Sequence, residues 1–261
     1  MKTRISLPAI ILLFLSLQAG AQTTKLTRLE IKEKEVYIVG PENSLIVDTL
    51  IMQDKATIRF SPEKAGILNA DMAIIGENCT ISSKGADGLD ANEKISGSAG
   101  QNGGDLKITI HFDKVGSLTI DTRGGQGGNG LQGKNGAKGI KEYSKVSFIK
   151  EPDGKTIRVV ENSPEQLGTD GTNATTGFNG GNGGDIELEY STNNFIPIFN
   201  NSKGKNNIFI VTKGGIYGRD GKPGKGGIGK RDGKLIQTNK VKSVDGQIKL
   251  KNVGSVPEQE K

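Results

Sequence analysis

The 261-residue chain has no Trp, one Cys, one His and only 5% aromatic residues. Each shortage excludes something. Without Trp and with 4 Tyr, there is little from which to build a stacking platform for sugars or bases. The single cysteine, Cys79, excludes an intrachain disulfide. Flanked by Thr80 and Ile81, it reads as a small packed residue rather than a reactive thiol. The single histidine, His111, lies between Ile110 and Phe112 on the polar side of an alternating run. It has no cysteine, serine motif or acid at a telling distance, so no catalytic set is predicted. With 8 Pro, neither a Pro-rich linker nor a triple helix that leans on proline is supported.

Residues 1–21 have the form of a secretory signal: Lys2 and Arg4, an apolar run from Ile10 to Leu17, and Ala19-Gly20-Ala21 as cleavage site. That run is too short to span a bilayer. No later stretch approaches the roughly 20 apolar residues a membrane helix needs. The expected location is therefore secreted, periplasmic or cell-surface, with no transmembrane span once the signal is removed. The formal net charge is +6, with lysines and acids interspersed, so nucleic-acid binding is not predicted. Clustered carboxylates that would cage calcium are also missing.

What is present in excess is glycine, at 39 residues, concentrated in tracts 85–104, 124–139, 168–184 and 214–233. Inside the tracts the spacing is three. The second is unbroken at Gly124, Gly127, Gly130, Gly133, Gly136 and Gly139. The third continues through Gly177, Gly180 and Gly183, and the fourth through Gly215, Gly218, Gly221 and Gly224. A period of three fits neither an α-helix nor a strand. It fits an extended polyproline-II-type helix, whose amides bond only to neighbouring chains or water. Bare glycine edges admit such neighbours, and doubled glycines such as Gly124-Gly125 and Gly127-Gly128 clear a second edge. The prediction is a lateral bundle of polyglycine-II-like helices. The chain would reverse at Ala91-Asn92-Glu93-Lys94 and across the insertion 140–167. At about 3.1 Å per residue, the second tract would extend about 50 Å if straight.

The tract flanks repeat as well. Cys79 to Gly85, Leu118 to Gly124 and Ile208 to Gly214 each read as alternating apolar residues, then a hydroxyl, a base and glycine. The exits Asn102-Gly-Gly-Asp105 and Asn182-Gly-Gly-Asp185 each open an alternating run, Leu106 to Phe112 and Ile186 to Tyr190, the mark of a half-buried strand. Residues 45–83 hold further short β runs, including Ala56, Ile58 and Phe60, then Leu68, Ala70 and Met72. The fold class is thus mainly β, a short β-solenoid or β-sandwich core. Four regions follow: a signal 1–21, an N-terminal β region 22–84, strands interleaved with glycine tracts over 85–233, and a closing hairpin with polar tail over 234–261. Within the third, 140–167 is a hairpin in which Val146 and Phe148 face Ile157 and Val159 across Pro152-Asp153-Gly154. The closing hairpin would turn at Asp245-Gly246, and residues 22–26 and 253–261 read as polar and loose.

Glycine-rich text also generates false motifs. Gly125-x-Gly127-x-x-Gly130 fits a dinucleotide pattern but opens no helix. Gly128 to Lys134 and Gly224 to Lys230 imitate phosphate loops, yet Asn135 and Arg231 stand where a metal-binding hydroxyl is required. Gly180 to Leu188 partly matches a calcium nonapeptide, with Glu187 in its apolar slot. Asp105 and Asp185 read instead as acceptors for backbone N–H groups. No cofactor or metal site is predicted. The one candidate contact set is Lys84, Arg123 and Lys213, a row able to meet an anionic polymer or simply to offset nearby acids.

In its in-phase glycines and Asn-Gly-Gly-Asp exits, the chain resembles the secreted collagen-like glycine-rich proteins of Bacteroidetes. It also resembles the polyglycine-II bundles of snow flea antifreeze protein and phage tail-tip adhesins. It departs from the antifreeze proteins by lacking disulfides and by placing Lys134, Lys138, Arg219 and Lys225 between glycines. The expected function is an exported, non-catalytic structural or adhesive protein of the envelope or extracellular matrix. Its expected partners are cell-surface polysaccharide or envelope proteins. The alternatives are a β-solenoid enzyme acting on acidic polysaccharide and a glycan-binding surface module.

Overall fold

The structure, a computed structural model, describes residues 25–193, 195–201 and 205–254. The secretory-type segment 1–21 and the last residues of the polar tail lie outside these. Alternation of apolar and polar residues sets the strands in chain order. They are β1 (Lys25–Ile31), β2 (Val36–Ile38), β3 (Ser44–Met52), β4 (Thr57–Arg59), β5 (Gly66–Ile75), β6 (Cys79–Ser82), β7 (Leu106–Val115) and β8 (Ser117–Asp121). There follow β9 (Tyr143–Lys150), β10 (Thr156–Ser163), β11 (Ala174–Thr175), β12 (Ile186–Thr192), β13 (Ile198–Phe199), β14 (Asn207–Val211), β15 (Leu235–Ile236) and β16 (Ile248–Asn252).

Two six-stranded sheets carry the molecule, ordered β1-β3-β5-β7-β12-β16 and β13-β14-β8-β6-β4-β2. Every pairing within them is parallel. From β1 to β8 the chain alternates between the sheets, each pass laying one strand beside its predecessor in both; later β12 and β16 extend the first sheet while β13 and β14 both join the second, β14 beside β8. Hairpin pairing, which an antiparallel sandwich would require, is absent from these sheets. The core lies where the inward residues of the two sheets meet: Leu45, Val47, Leu50 and Met52 of β3, Leu106, Ile108, Ile110 and Phe112 of β7, and Cys79, Ile81, Leu118 and Ile120 opposite. Each such side chain contributes about 1.5–3 kcal/mol by leaving water. Left-handed residues Lys34, Lys55 and Asn78 mark successive turns between the sheets. Their stacking is recorded by Lys34 N–H to Asp54 O and Lys55 N–H to Glu77 O.

Several expectations are corrected. Met72, read in phase with Leu68 and Ala70, is 37% exposed, because an irregularity between Ala70 and Ala73 moves the inward phase to Ala73 and Ile75. The closing hairpin does not form: β16 adds parallel to β12, Ile248 beside Ile186 and Leu250 beside Leu188. Lys25 and Leu26, expected to be loose, belong to β1, held by pairing to Ile46 and Val47. The 140–167 hairpin exists as β9 and β10, but Phe148 pairs with Arg158 and Val146 with Val160, one residue off the expected register. The tight turn sets that register: Glu151 and Lys155 close around Pro152-Asp153-Gly154, with Gly154 at φ 85°.

The bundle of polyglycine-II-like helices that the glycine phase predicts does not appear as helix. No helix is present among the described residues, and the tracts are irregular apart from the two-residue β11, which pairs with β15 just past the fourth tract. An extended run has no internal bonds by which a helix would be recognised. What organises these tracts is their hydrogen bonding to one another.

Candidate functional site: the layered glycine excursions

All three glycine excursions leave from the second sheet and return to the first: β6 to β7, β8 to β12 and β14 to β16. Because those strands stack, the excursions stack. A hydroxyl sits at the foot of each. Thr122 Oγ1 donates to Gly184 O at 2.7 Å and Thr212 Oγ1 to Gly246 O at 2.8 Å, while Ser83 Oγ lies 3.5 Å from Ser61 O. The returning arm answers with Gly104 N–H to Ser83 O, Gly184 N–H to Thr122 O and Gly246 N–H to Thr212 O. At Thr122 and Thr212 the recurrent hydroxyl before the base is therefore a clasp.

Beyond the clasp, bonds recur every third residue. In the middle excursion, the returning arm donates from Thr169, Thr172, Thr175, Phe178 and Gly181 to Ala137, Lys134, Leu131, Gly128 and Gly125 of the outgoing arm. The outgoing arm donates from Gly124, Gly127, Gly130, Gly133 and Gly136 to Lys213, Ile216, Arg219, Lys222 and Lys225 of the third excursion. Gly85 and Gly88 of the first donate to Arg123 and Gln126. A β-carbon at Gly127 would overlap the Phe178 carbonyl, and one at the adjacent Gly128 the Leu89 carbonyl. Two neighbours on two sides thus account for the doubled glycine. The same spacing explains why the third return, 231–246, carries few glycines: it lies at the edge, where side chains have room.

The first excursion reverses at Asn92, whose Oδ1 accepts from Lys94 and Ile95. The third reverses at Gly229, φ 67°, with Asp232 Oδ1 accepting Gly226 N–H.

A second, side-chain system crosses the layers. Asp87 and Asp90 of the first layer accept the N–H of Gln126 and Asn129. Asn129, Gln132 and Asn135 in turn accept the N–H of Arg219, Lys222 and Lys225. On the returning arms, Asp170, Asn173, Asn179 and Asn182 accept from Arg231, Lys234, Val241 and Val244. Asp105 accepts from Asp185, and Asp185 from Gln247, the role their position suggests. Sequence reasoning missed the rest of this ladder. Its signal was legible, however: amides and acids recur every three residues in phase with the glycines.

Lys84, Arg123 and Lys213 head the three outgoing arms and are brought into one column, since Gly85 N–H reaches Arg123 O and Gly124 N–H reaches Lys213 O. Two of the three have acids of their own. Arg123 makes two contacts to Asp121, at 2.9 and 2.7 Å, and that hydrogen-bonded carboxylate raises its pKa further. Lys84 lies 3.6 Å from Asp87. Among the described residues Lys213 has no ion pair.

The phosphate-loop imitations spend their amides on lateral bonds, Gly128 to Ser98, Gly130 to Arg219 and Gly224 to Thr172, and form no anion nest. His111 Nδ1 lies 2.7 Å from Ser191 Oγ on the outer face of β7. Among the described residues no group of three or more His, Cys, Asp or Glu side chains is placed to hold a metal ion. A groove of about 500 Å³ beside the third excursion is lined by Ile216, Tyr217, Lys240 and Asp245. Ser243 and Asp245 in its lining bond to the backbone of Gly215 and Gly214. Lys240 stands 4.5 Å over the Tyr217 ring and 2.9 Å from Asp220, holding that carboxyl below its usual range. Tyr217 donates to Gly177 O.

Comparison with known proteins returns no match among family models, curated proteins or solved structures.

Proposed function

We propose that the chain is an exported, non-catalytic structural or adhesive protein of the cell envelope or extracellular matrix. Its core is a short β-solenoid, and its glycine excursions pack as extended runs bonded laterally to one another. The observation that carries this reading is the three-residue recurrence of bonds between arms. In the middle excursion, the carbonyl of Gly128 accepts from Phe178 while its N–H donates to Ser98, and neighbouring residues reach the other layers. Such an arm spends its main chain on internal cohesion and turns its side chains outward, as a spacer or display surface requires. A substrate cleft requires the reverse, convergent polar groups left free to act.

The leader-like segment 1–21 supports export. The test is to express the full chain with its leader, fractionate the cells and incubate the released protein with a panel of polysaccharides and peptides. Recovery outside the cytoplasm without product release is expected. Cytoplasmic retention or turnover of any panel member overturns the reading.

A further inference from the structure

The side-chain ladder has a polarity. On the outgoing face the first layer offers acids, Asp87 and Asp90; the second offers amides, Asn129, Gln132 and Asn135; and the corresponding positions of the third are Arg219, Lys222 and Lys225. The last layer has no further N–H to receive, and cations replace acceptors there. Lys213 lies in the same phase, two steps earlier, with Ile216 between. All four cations are exposed, and none makes an ion pair among the described residues.

Nearby acids are occupied: Asp220 by Lys240 and by the Gly177 amide, Asp232 by the Gly226 amide, and Asp87 and Asp90 by the amides of the middle layer. In an extended run rising about 3.1 Å per residue, successive cations of the triplet series stand about 9 Å apart along a line. The Asn129, Gln132 and Asn135 amides lie alongside, their oxygens accepting the backbone N–H of Arg219, Lys222 and Lys225 and their NH2 groups free of protein acceptors among the described residues.

The geometry points to Lys213, Arg219, Lys222 and Lys225 as a linear binding edge for an acidic polysaccharide. Carboxylate or sulfate groups would pair with the cations, and sugar hydroxyls would accept from the amide row. This rests on the non-catalytic reading above. A regular line of charges with hydrogen-bond donors beside it matches an extended polymer with evenly repeated anions. Nucleic-acid recognition would call for aromatic stacking along the line. The aromatic side chain beside this row, Tyr217, is already engaged by Lys240 and Gly177.

The test measures binding of the full chain to polygalacturonate, dextran sulfate, neutral dextran and a poly-dT oligonucleotide across a salt series. The variant Arg219→Gln/Lys222→Gln/Lys225→Gln should bind the preferred acidic glycan about tenfold more weakly, with a shallower salt dependence. Lys222→Arg/Lys225→Arg should bind as the parent does. A control triple in the hairpin, Lys141→Gln/Lys145→Gln/Lys150→Gln, removes the same charge and should leave affinity unchanged. Preference between polygalacturonate and dextran sulfate tells carboxylate from sulfate, and row-dependent binding of either supports the inference. Equal losses in both triples, equal binding of neutral dextran, tighter binding of the oligonucleotide, or no binding at all would overturn it. Release of shortened polymer would instead overturn the non-catalytic reading, a separate readout.

Discussion

The side-chain oxygen of Asn102 accepts the backbone N–H of Asn182, 80 residues further along the chain, at 2.8 Å, and Asn182 repeats the gesture to Val244 at 3.0 Å. One side chain type at one position of the repeat thereby joins three excursions that are remote in sequence. Truncating Asn182→Ala should free the Val244 amide and leave residue 182's own amide protected by Asn102. Site-resolved hydrogen exchange checks this. Faster exchange at 182 itself would contradict the direction of the ladder.

Close approach between arms predicts a sharp contrast between two glycines. Gly127→Ala forces a methyl into the Phe178 carbonyl and should cost about 1–3 kcal/mol. Gly40→Ala, with open space around it, should change stability by no more than about 0.5 kcal/mol. Urea unfolding of both variants provides the comparison, and equal midpoints would count against the packing described.

The clasps offer a smaller effect. Thr122→Val leaves the Gly184 carbonyl without its buried donor and should cost about 1–2 kcal/mol, while Thr122→Ser should retain most of the parent stability. Thermal melts of the pair separate loss of the hydroxyl from loss of the methyl.

Cys79 is fully buried, and its thiol lies 3.2 Å from the Gln53 carbonyl. Burial pushes the thiol pKa up, so the thiolate that would react is scarce as well as inaccessible. A disulfide reagent at neutral pH should label the native protein only at the rate of its opening, and promptly in denaturant. Rapid labelling of the native chain would contradict the core placement.

Asp90 has its pKa lowered from the usual 3.8, because it accepts the Asn129 amide. A carboxylate stabilised in the folded state contributes above its unfolded pKa, and that contribution is lost as pH falls through the lower folded value. The Asn129 amide shift, followed by NMR, should titrate below pH 3.8 and become flat in Asp90→Asn. A midpoint above that value would reverse the sign.

The alternating runs at 106–112 and 186–190 and the first reversal at Ala91 to Lys94 could be read from residues alone, because each rests on a local rule of period or turn chemistry. The ladder was half legible: Asp105 and Asp185 stood out at the exits, while Asn129, Gln132 and Asn135 were hidden among the glycines. The return arm 231–246 was not legible at all, since a run at an edge needs little glycine and so loses the mark by which its neighbours are known.

Local periodicity determined that this chain would be extended, β-rich and punctuated by runs able to lie against other backbones. It could not choose which backbones. That Ile248 of β16 would join Ile186 in parallel rather than fold back, that Arg123 would stack on Lys213, and that Arg219, Lys222 and Lys225 would form an outer edge were decided by the tertiary structure. The physical reason is that an extended strand or run leaves its hydrogen bonds open to any partner, and only the stacking of whole passes around a shared apolar core selects one.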